Sequence, residues 1–146
     1  MSSSADEGMR VRREVLGHAH VDRAVARTTE FTRPFQEYIT ESVWGSIWTR
    51  EGLDRRTRSC VTLAVLTALG RHEEIGMHVR AAVHNGLTAA EIAEVLLHTG
   101  AYAGVPAANA AFAIGQQVLA ELGDEAARIR PAEEDEDDQH RAGQHE

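Results

Sequence analysis

One segment of the chain combines a cation, a carboxylate and an imidazole within a helical pattern. It covers residues 70–86 and reads GRHEEIGMHVRAAVHNG. Arg71, Glu74 and His78 are spaced i, i+3 and i+7, which places them on one face if the segment is a helix. Such a face is either a solvated salt-bridge surface or the floor of a catalytic site, and the spacing leaves both open. The Asn-Gly pair at 85–86 predicts the end of this helix, because both residue types tolerate left-handed backbone.

Further arginines lie near the start of a helix predicted over residues 54–69. Arg55, Arg56 and Arg58 occupy its first turn, where cations oppose the helix dipole. They are candidate anion ligands, and a solvated helix end is the alternative.

The aromatic residues are concentrated between positions 31 and 48, where Trp44 and Trp48 lie. In a chain that is only 5% aromatic, this concentration first indicates a core or a subunit contact. The wall of a substrate pocket is the second interpretation.

Composition excludes several kinds of chemistry. All fifteen basic residues are Arg, so no side chain can form a lysine Schiff base. Cys60 is the only cysteine, which excludes a disulfide framework and a Cys-x-x-Cys site. His18 and His20 could bind a metal, but Asp22 and solvent explain them equally well, and we predict no metal site.

The formal charge of −8 is unevenly distributed. Residues 124–146 hold nine acidic residues and three arginines, so the rest of the chain is nearly neutral. A nucleic-acid partner is therefore disfavoured, because phosphate binding needs a basic patch. No apolar run approaches the ~20 residues of a membrane span, and residues 1–8 lack the apolar core of a signal peptide. We therefore expect no membrane partner and a cytoplasmic location.

The hydrophobic periodicity predicts an all-α protein. No segment shows sustained period-2 alternation with β-branched residues, and five or six helices with short connections account for the chain. Thr88 and Glu91 form a capping box at one helix start, and Pro106 suits the first turn of the last helix. The predicted organisation is a disordered stretch at 1–8, one helical domain at 9–123 and an acidic, disordered tail at 124–146.

Nine segments in a single register, spanning about residues 10–122, resemble the carboxymuconolactone decarboxylase family. They are RREVLG at 12–17, HVD at 20–22, WGSIWTR at 44–50, GL at 52–53, RS at 58–59, EIGMHVRAA at 74–82, NGLT at 85–88, EIAEVLL at 91–97 and PAANAAF at 106–112. The resemblance implies an alkylhydroperoxidase D-like helical fold and a ring-like homohexamer. It also implies cofactor-independent decarboxylation of 4-carboxymuconolactone to 3-oxoadipate enol-lactone and CO2, in the protocatechuate branch of the β-ketoadipate pathway.

Peroxidases of the same fold have a Cys-x-x-Cys followed four residues later by His. The positions that match these residues are Arg71, Glu74 and His78, so both cysteines are absent. The glutamate that those peroxidases carry upstream matches Ser59. Thiol peroxidase chemistry is therefore disfavoured.

The implied substrate is a dicarboxylate lactone whose ring alkene and lactone oxygen accept the electrons left by CO2. The protein then has to hold a dianion, stabilise charge on that oxygen and protonate carbon. Our hypothesis assigns the proton to His78, with Glu74 orienting it or sharing the proton. Arg71 and one of Arg50, Arg55 or Arg58 would bind the carboxylates, with Trp44 or Trp48 as an apolar wall around the leaving group.

Two other functions remain open from the sequence. A binding protein or structural oligomer of this fold would have no pocket beside the Arg71–Glu74–His78 face. A different small-acid lyase or isomerase on the same scaffold is poorly separated by sequence.

Overall fold

The computed structural model describes residues 3–129, and no strand occurs among them. The all-α prediction is confirmed. Seven α-helices and one π-helical segment follow in chain order: α1 (Ser4–Leu16), α2 (His18–Ala26), α3 (Arg33–Ile39), the π segment (Thr40–Ile47), α4 (Arg55–Leu69), α5 (His72–His84), α6 (Ala89–Ala103) and α7 (Val105–Ile129). This is more than the five or six helices predicted, and the N-terminal stretch divides at Gly17, which has a φ of 89°.

The helices extend beyond both predicted ends of the helical domain, residues 9 and 123. Residues 4–8 are helical rather than disordered, because Ser3 and Asp6 form a capping box that starts α1. At the other end, α7 continues past Gly123 to Ile129. The rest of the predicted acidic tail, residues 130–146, lies outside the described residues.

The predicted capping box of α6 is confirmed, and α4 is capped at both ends. The Asp54 side chain accepts a hydrogen bond from the Thr57 backbone at 2.7 Å, and Thr88 and Glu91 cap α6 reciprocally. Gly70 ends α4 in the left-handed conformation, with φ 70° and ψ 34°. Such caps satisfy backbone groups that the helix itself leaves unpaired, so they are readable from local sequence.

Helix α5 lies between two apolar clusters. One face contributes to the larger cluster, which is formed with α4, α6 and α7 and includes Leu63, Ile75, Val79, Leu96 and Ala111. The opposite side contributes Ala81 to a smaller cluster with α1 and the π segment, made of Val11, Val15, Trp44, Trp48 and Ala81. The segment that carries the candidate chemistry is therefore central to the fold.

Helix α1 and the π segment approach each other through two glycines. A Cβ on Gly8 would overlap the carbonyl oxygen of Thr40, and one on Gly45 would overlap that of Ser4. The π pattern itself is seen in the bond from the Trp48 N–H to the Val43 carbonyl, at 3.0 Å and five residues apart. Close backbone contact therefore fixes α1 against this segment.

None of the helices in the described part of the chain is both long enough and apolar enough to cross a membrane.

Candidate active site

His78 lies in the middle of α5 and is only 8% exposed. Its Nδ1 is buried and has no hydrogen-bond partner among the described residues. The pKa of His78 is lowered to about 4, mainly by burial and to a smaller extent by His20, while Glu74 opposes the shift. The imidazole is therefore neutral at pH 7.

Glu74 lies one turn before His78 on the same helix, with an exposed side chain. Its carboxylate is close enough to His78 to favour the charged imidazole. Among residues 3–125, whose side chains are described, none makes a hydrogen bond or ion pair with the Glu74 carboxylate.

Arg71 lies at the start of α5 rather than within it. It is the N-cap residue of α5, with φ −86° and ψ 72°, and its side chain is exposed. The turn after Gly70 sets this conformation, because the Arg71 N–H still bonds to the Leu66 carbonyl at 2.9 Å. Arg71 therefore lies at the exposed N-terminal end of α5, the helix that also carries Glu74 and His78.

The arginines around the start of α4 differ in what they contact. Arg55 pairs with Glu14 at 2.6 Å, and Arg56 pairs with Glu91 and also donates to the Gly86 carbonyl. Arg58 is half-buried, donates from Nη2 to the Arg50 carbonyl at 3.1 Å, and keeps a buried Nε without a partner among the described residues.

These contacts narrow the choice among Arg50, Arg55 and Arg58 as the arginine that binds a substrate carboxylate. Arg55 is already neutralised by a carboxylate, whereas Arg58 has an unused donor. The side chain of Arg50 is exposed. Arg58 and Arg50 are therefore the members of the predicted set that remain available.

Trp44 is buried and belongs to the core. Its ring lies against that of Trp48, with centroids 5.3 Å apart, and both pack with Val11, Val15 and Ala81. Ala81 is three residues after His78 on α5, so the tryptophan cluster forms an apolar wall on that side of the helix.

Two residues outside the predicted site have unusual environments. Arg12 is 5% exposed, and burial lowers its pKa. His20 is half-buried; its pKa is lowered first by burial and then by arginines that include Arg12. His20 in turn lowers the pKa of His78, so burial and positive charge disfavour the protonated form of both imidazoles.

A sequence signal for Arg12 exists. The buried positions of α1 are Gly8, Val11, Arg12 and Val15, which follow the i, i+3, i+4, i+7 stripe of an amphipathic helix. A charged residue within such a stripe is a candidate for function, because burying a charge costs free energy.

The geometry around Cys60 and Ser59 gives no thiol centre. Burial raises the pKa of the Cys60 thiol, which keeps it protonated. Ser59 is fully buried and accepts a hydrogen bond from Asn85 Nδ2 at 2.9 Å, which joins α4 to the end of α5. Over residues 3–129, no group of three or more metal-ligating side chains is placed to hold an ion.

Comparison with known proteins identifies the family. Residues 33–117 match the carboxymuconolactone decarboxylase family. A 4-carboxymuconolactone decarboxylase from Acinetobacter baylyi is 48% identical over 117 residues, which cover 80% of this chain and 87% of that protein. A nitrosuccinic acid decarboxylase from Metarhizium robertsii is 42% identical over 126 residues, covering 86% and 88% of the two chains. A 4-carboxymuconolactone decarboxylase from Pseudomonas putida is 52% identical over 40 residues, which are 27% of this chain and 83% of that sequence.

The chain belongs to the carboxymuconolactone decarboxylase family. The predicted resemblance is therefore confirmed.

Proposed function

We propose that this protein decarboxylates 4-carboxymuconolactone to 3-oxoadipate enol-lactone and CO2, without a cofactor, in the protocatechuate branch of the β-ketoadipate pathway. The observation that carries the proposal is the 48% identity to the Acinetobacter baylyi decarboxylase over 87% of that protein. A buried imidazole beside a free carboxylate supports it, because the reaction needs a proton delivered to carbon.

The substrate supplies its own electron sink. When the bond to the leaving carboxylate breaks, the electron pair enters the ring alkene and delocalises onto the lactone carbonyl oxygen. Protonation at the ring carbon next to that carbonyl then gives the enol-lactone. The protein's tasks are to bind the dianion, stabilise the oxygen charge and supply one proton.

We assign the proton transfer to His78. A dianion bound beside the imidazole raises its pKa, because negative charge favours the protonated form, and Glu74 acts in the same direction. His78 then gains a proton as substrate binds and gives it to the ring carbon after CO2 leaves. Glu74 orients the imidazole or returns the proton.

We assign different residues to the two parts of the substrate, the carboxylate that is retained and the one that leaves. Arg58, Arg50 and Arg71 attract the dianion to the site. A tight arginine contact on the departing carboxylate would oppose its loss, since that charge must leave as neutral CO2. The apolar surface that includes Trp44 suits the departing group better.

An assay of the purified protein tests this proposal. Enzymatically prepared 4-carboxymuconolactone is incubated with the protein without added metal or cofactor, and CO2 release and enol-lactone formation are followed together. Equal amounts of both products are expected. A folded protein that releases no CO2 above the uncatalysed rate would exclude the proposed activity.

A second candidate substrate is nitrosuccinate, favoured by the 42% identity to the Metarhizium robertsii enzyme. Loss of CO2 from this dicarboxylate leaves a charge shared by the nitro oxygens, and protonation at carbon completes the reaction. The same residues would serve both reactions. The ratio of kcat/KM for the two substrates, measured side by side, decides between them.

We also propose that the protein is a homo-oligomer, with the hexamer of the family resemblance as the specific form. Its support is a set of exposed apolar side chains that a monomer would leave in water: Phe31, Phe35, Tyr38, Ile47, Leu69, Leu97, Tyr102 and Val105.

A further inference from the structure

Arg12 is a buried cation without a counter-ion among the described residues. Its Nη1 and Nη2 atoms both lie 3.2 Å from the same Gln36 oxygen, and Nη1 is a long 3.5 Å from the Thr40 hydroxyl. Its Nε is buried and unpartnered over residues 3–129. These acceptors are neutral and partly shared, so they do not offset the free-energy cost of taking a guanidinium out of water. The buried charge of Arg12 therefore lacks a compensating anion among the described residues.

The guanidinium lines a cavity of about 380 Å³ between α1, the end of α2, α3 and the π segment. The buried lining consists of Arg12 and Thr40, with half-buried Gln36 beside them. A volume of this order accommodates a small organic acid.

The other charged side chains of this cavity are exposed. They are Asp6, Arg33, Glu37 and Glu41, and Asp6 is also held by the capping box of α1. Water screens charges at an exposed rim strongly, whereas a charge at the buried end acts on a ligand with little screening. The three rim carboxylates therefore do not replace the missing counter-ion of Arg12.

We propose that Arg12 binds the carboxylate that the substrate keeps, which is the acetate arm of 4-carboxymuconolactone or the equivalent carboxylate of a related dicarboxylate. The proposal rests on the proposed function. Arg12 is not one of the carboxylate-binding arginines predicted from the sequence. An incoming carboxylate supplies the missing charge and accepts from the Nη atoms that now share one Gln36 oxygen, with Gln36 as a neighbouring amide.

The position of Arg12 relative to His78 fits a retained carboxylate. Helix α1 packs against α5 through Val11, Val15 and Ala81, with Arg12 next to Val11 and His78 one turn before Ala81. The arginine is therefore near the site but separated from the imidazole that has to protonate the ring.

The alternative is that Arg12 only joins α1 to α3 through Gln36. The two roles predict opposite effects on stability. If Arg12 is a ligand site, Arg12→Met removes an uncompensated buried charge and fills similar space, so the free energy of unfolding stays equal or rises. If the contact to Gln36 is structural, the same substitution lowers it.

Binding is measured independently of catalysis. The side-chain N–H signals of arginine are followed by 15N NMR while succinate is added. Propionate is the monocarboxylate comparison. The Arg12→Lys variant assigns the Arg12 Nε signal, because that signal is missing from its spectrum. We expect succinate to shift that signal in the wild-type protein and to bind more tightly than propionate. Arg33→Met, which removes a rim charge of the same cavity, should keep this binding.

Kinetics provides the second measurement. Arg12→Met should lower kcat/KM about 10- to 100-fold, mainly by raising KM, because one charged hydrogen-bonded contact is worth about that factor. Arg12→Lys should recover part of the lost kcat/KM. If the wild-type protein does not decarboxylate the lactone but succinate still shifts the Arg12 signal, the anion site stands and the proposed reaction fails. If decarboxylation is normal in Arg12→Met, or succinate leaves the Arg12 signal unmoved, the Arg12 site is overturned while the reaction stands.

Discussion

At the scale of single residues, His78 combines burial with two titratable neighbours that act on it in opposite directions. His20 disfavours its protonated form and Glu74 favours it. A neutral imidazole that gains its proton only when a dianion binds couples proton delivery to the presence of substrate. The residue-scale predictions follow from this coupling.

Replacing His78 tests its proposed role as proton donor. His78→Asn should lower kcat by about 10²- to 10⁴-fold, the usual contribution of general acid catalysis. His84→Asn is the matched control, because His84 is exposed at the last turn of the same helix. Near-native turnover of a well-folded His78→Asn protein would remove His78 from the mechanism.

The lowered pKa of His78 also predicts a pH dependence of stability. The unfolded chain binds the proton near the ordinary pKa of 6.5, whereas the folded state binds it only near 4. The contribution of His78 to stability is therefore complete above about pH 6.5 and is lost as the pH falls towards 4, by at most about 3 kcal/mol.

Urea unfolding between pH 4 and 7.5 measures this effect. His78→Gln should show a shallower loss of unfolding free energy with falling pH than the wild-type protein, whatever its absolute stability. Identical slopes for the two proteins would mean that the imidazole is not held neutral by burial.

At the scale of elements, the contact between α1 and the π segment positions Arg12. Gly8 lies one turn before Arg12 on α1, and the backbone of the π segment occupies the space that a side chain at Gly8 would need. A substitution here has to move α1, because the clashing atom is a backbone oxygen.

Gly8→Ala should therefore destabilise the fold by roughly 1–3 kcal/mol, as overpacking does, and weaken succinate binding with it. Gly123→Ala is the opposite control, because Gly123 lies within α7 with open space around it. The better helix propensity of Ala should stabilise that variant by about 0.5–1 kcal/mol. Thermal unfolding of both variants distinguishes a close backbone contact from a general effect of Gly→Ala, and equal shifts would contradict the contact.

At the scale of the whole molecule, the exposed apolar side chains predict self-association. Phe31 is 93% exposed and Phe35 is 61% exposed, on the connection before α3 and on α3 itself. Since water disfavours such surface, we expect a stable oligomer.

Light scattering after size-exclusion chromatography measures the mass. The wild-type protein should elute as a multiple of its 16.0 kDa chain, and the double substitution Phe31→Ser and Phe35→Ser should reduce that mass. Glu30→Ser, at an exposed neighbouring position, should leave it unchanged. A wild-type mass equal to one chain would refute self-association.

Local signals in the sequence determined the fold class, the caps at Asp54, Gly70 and Thr88, and the family. Capping and periodicity depend on residues within one or two turns, so they are readable without tertiary contacts. The same reasoning missed the helix at residues 4–8, although Ser3 and Asp6 carry a local capping signal.

Only the tertiary structure decided which charged residues are buried. Arg71 fits a helical face by spacing, but the turn after Gly70 puts it at an exposed cap. Arg12 lies on the apolar stripe of α1 by spacing, but its guanidinium is buried only because α3 and the π segment pack around it. The free energy of a charge depends on how many other elements exclude water from it, and that is a property of the assembled helices rather than of any one of them.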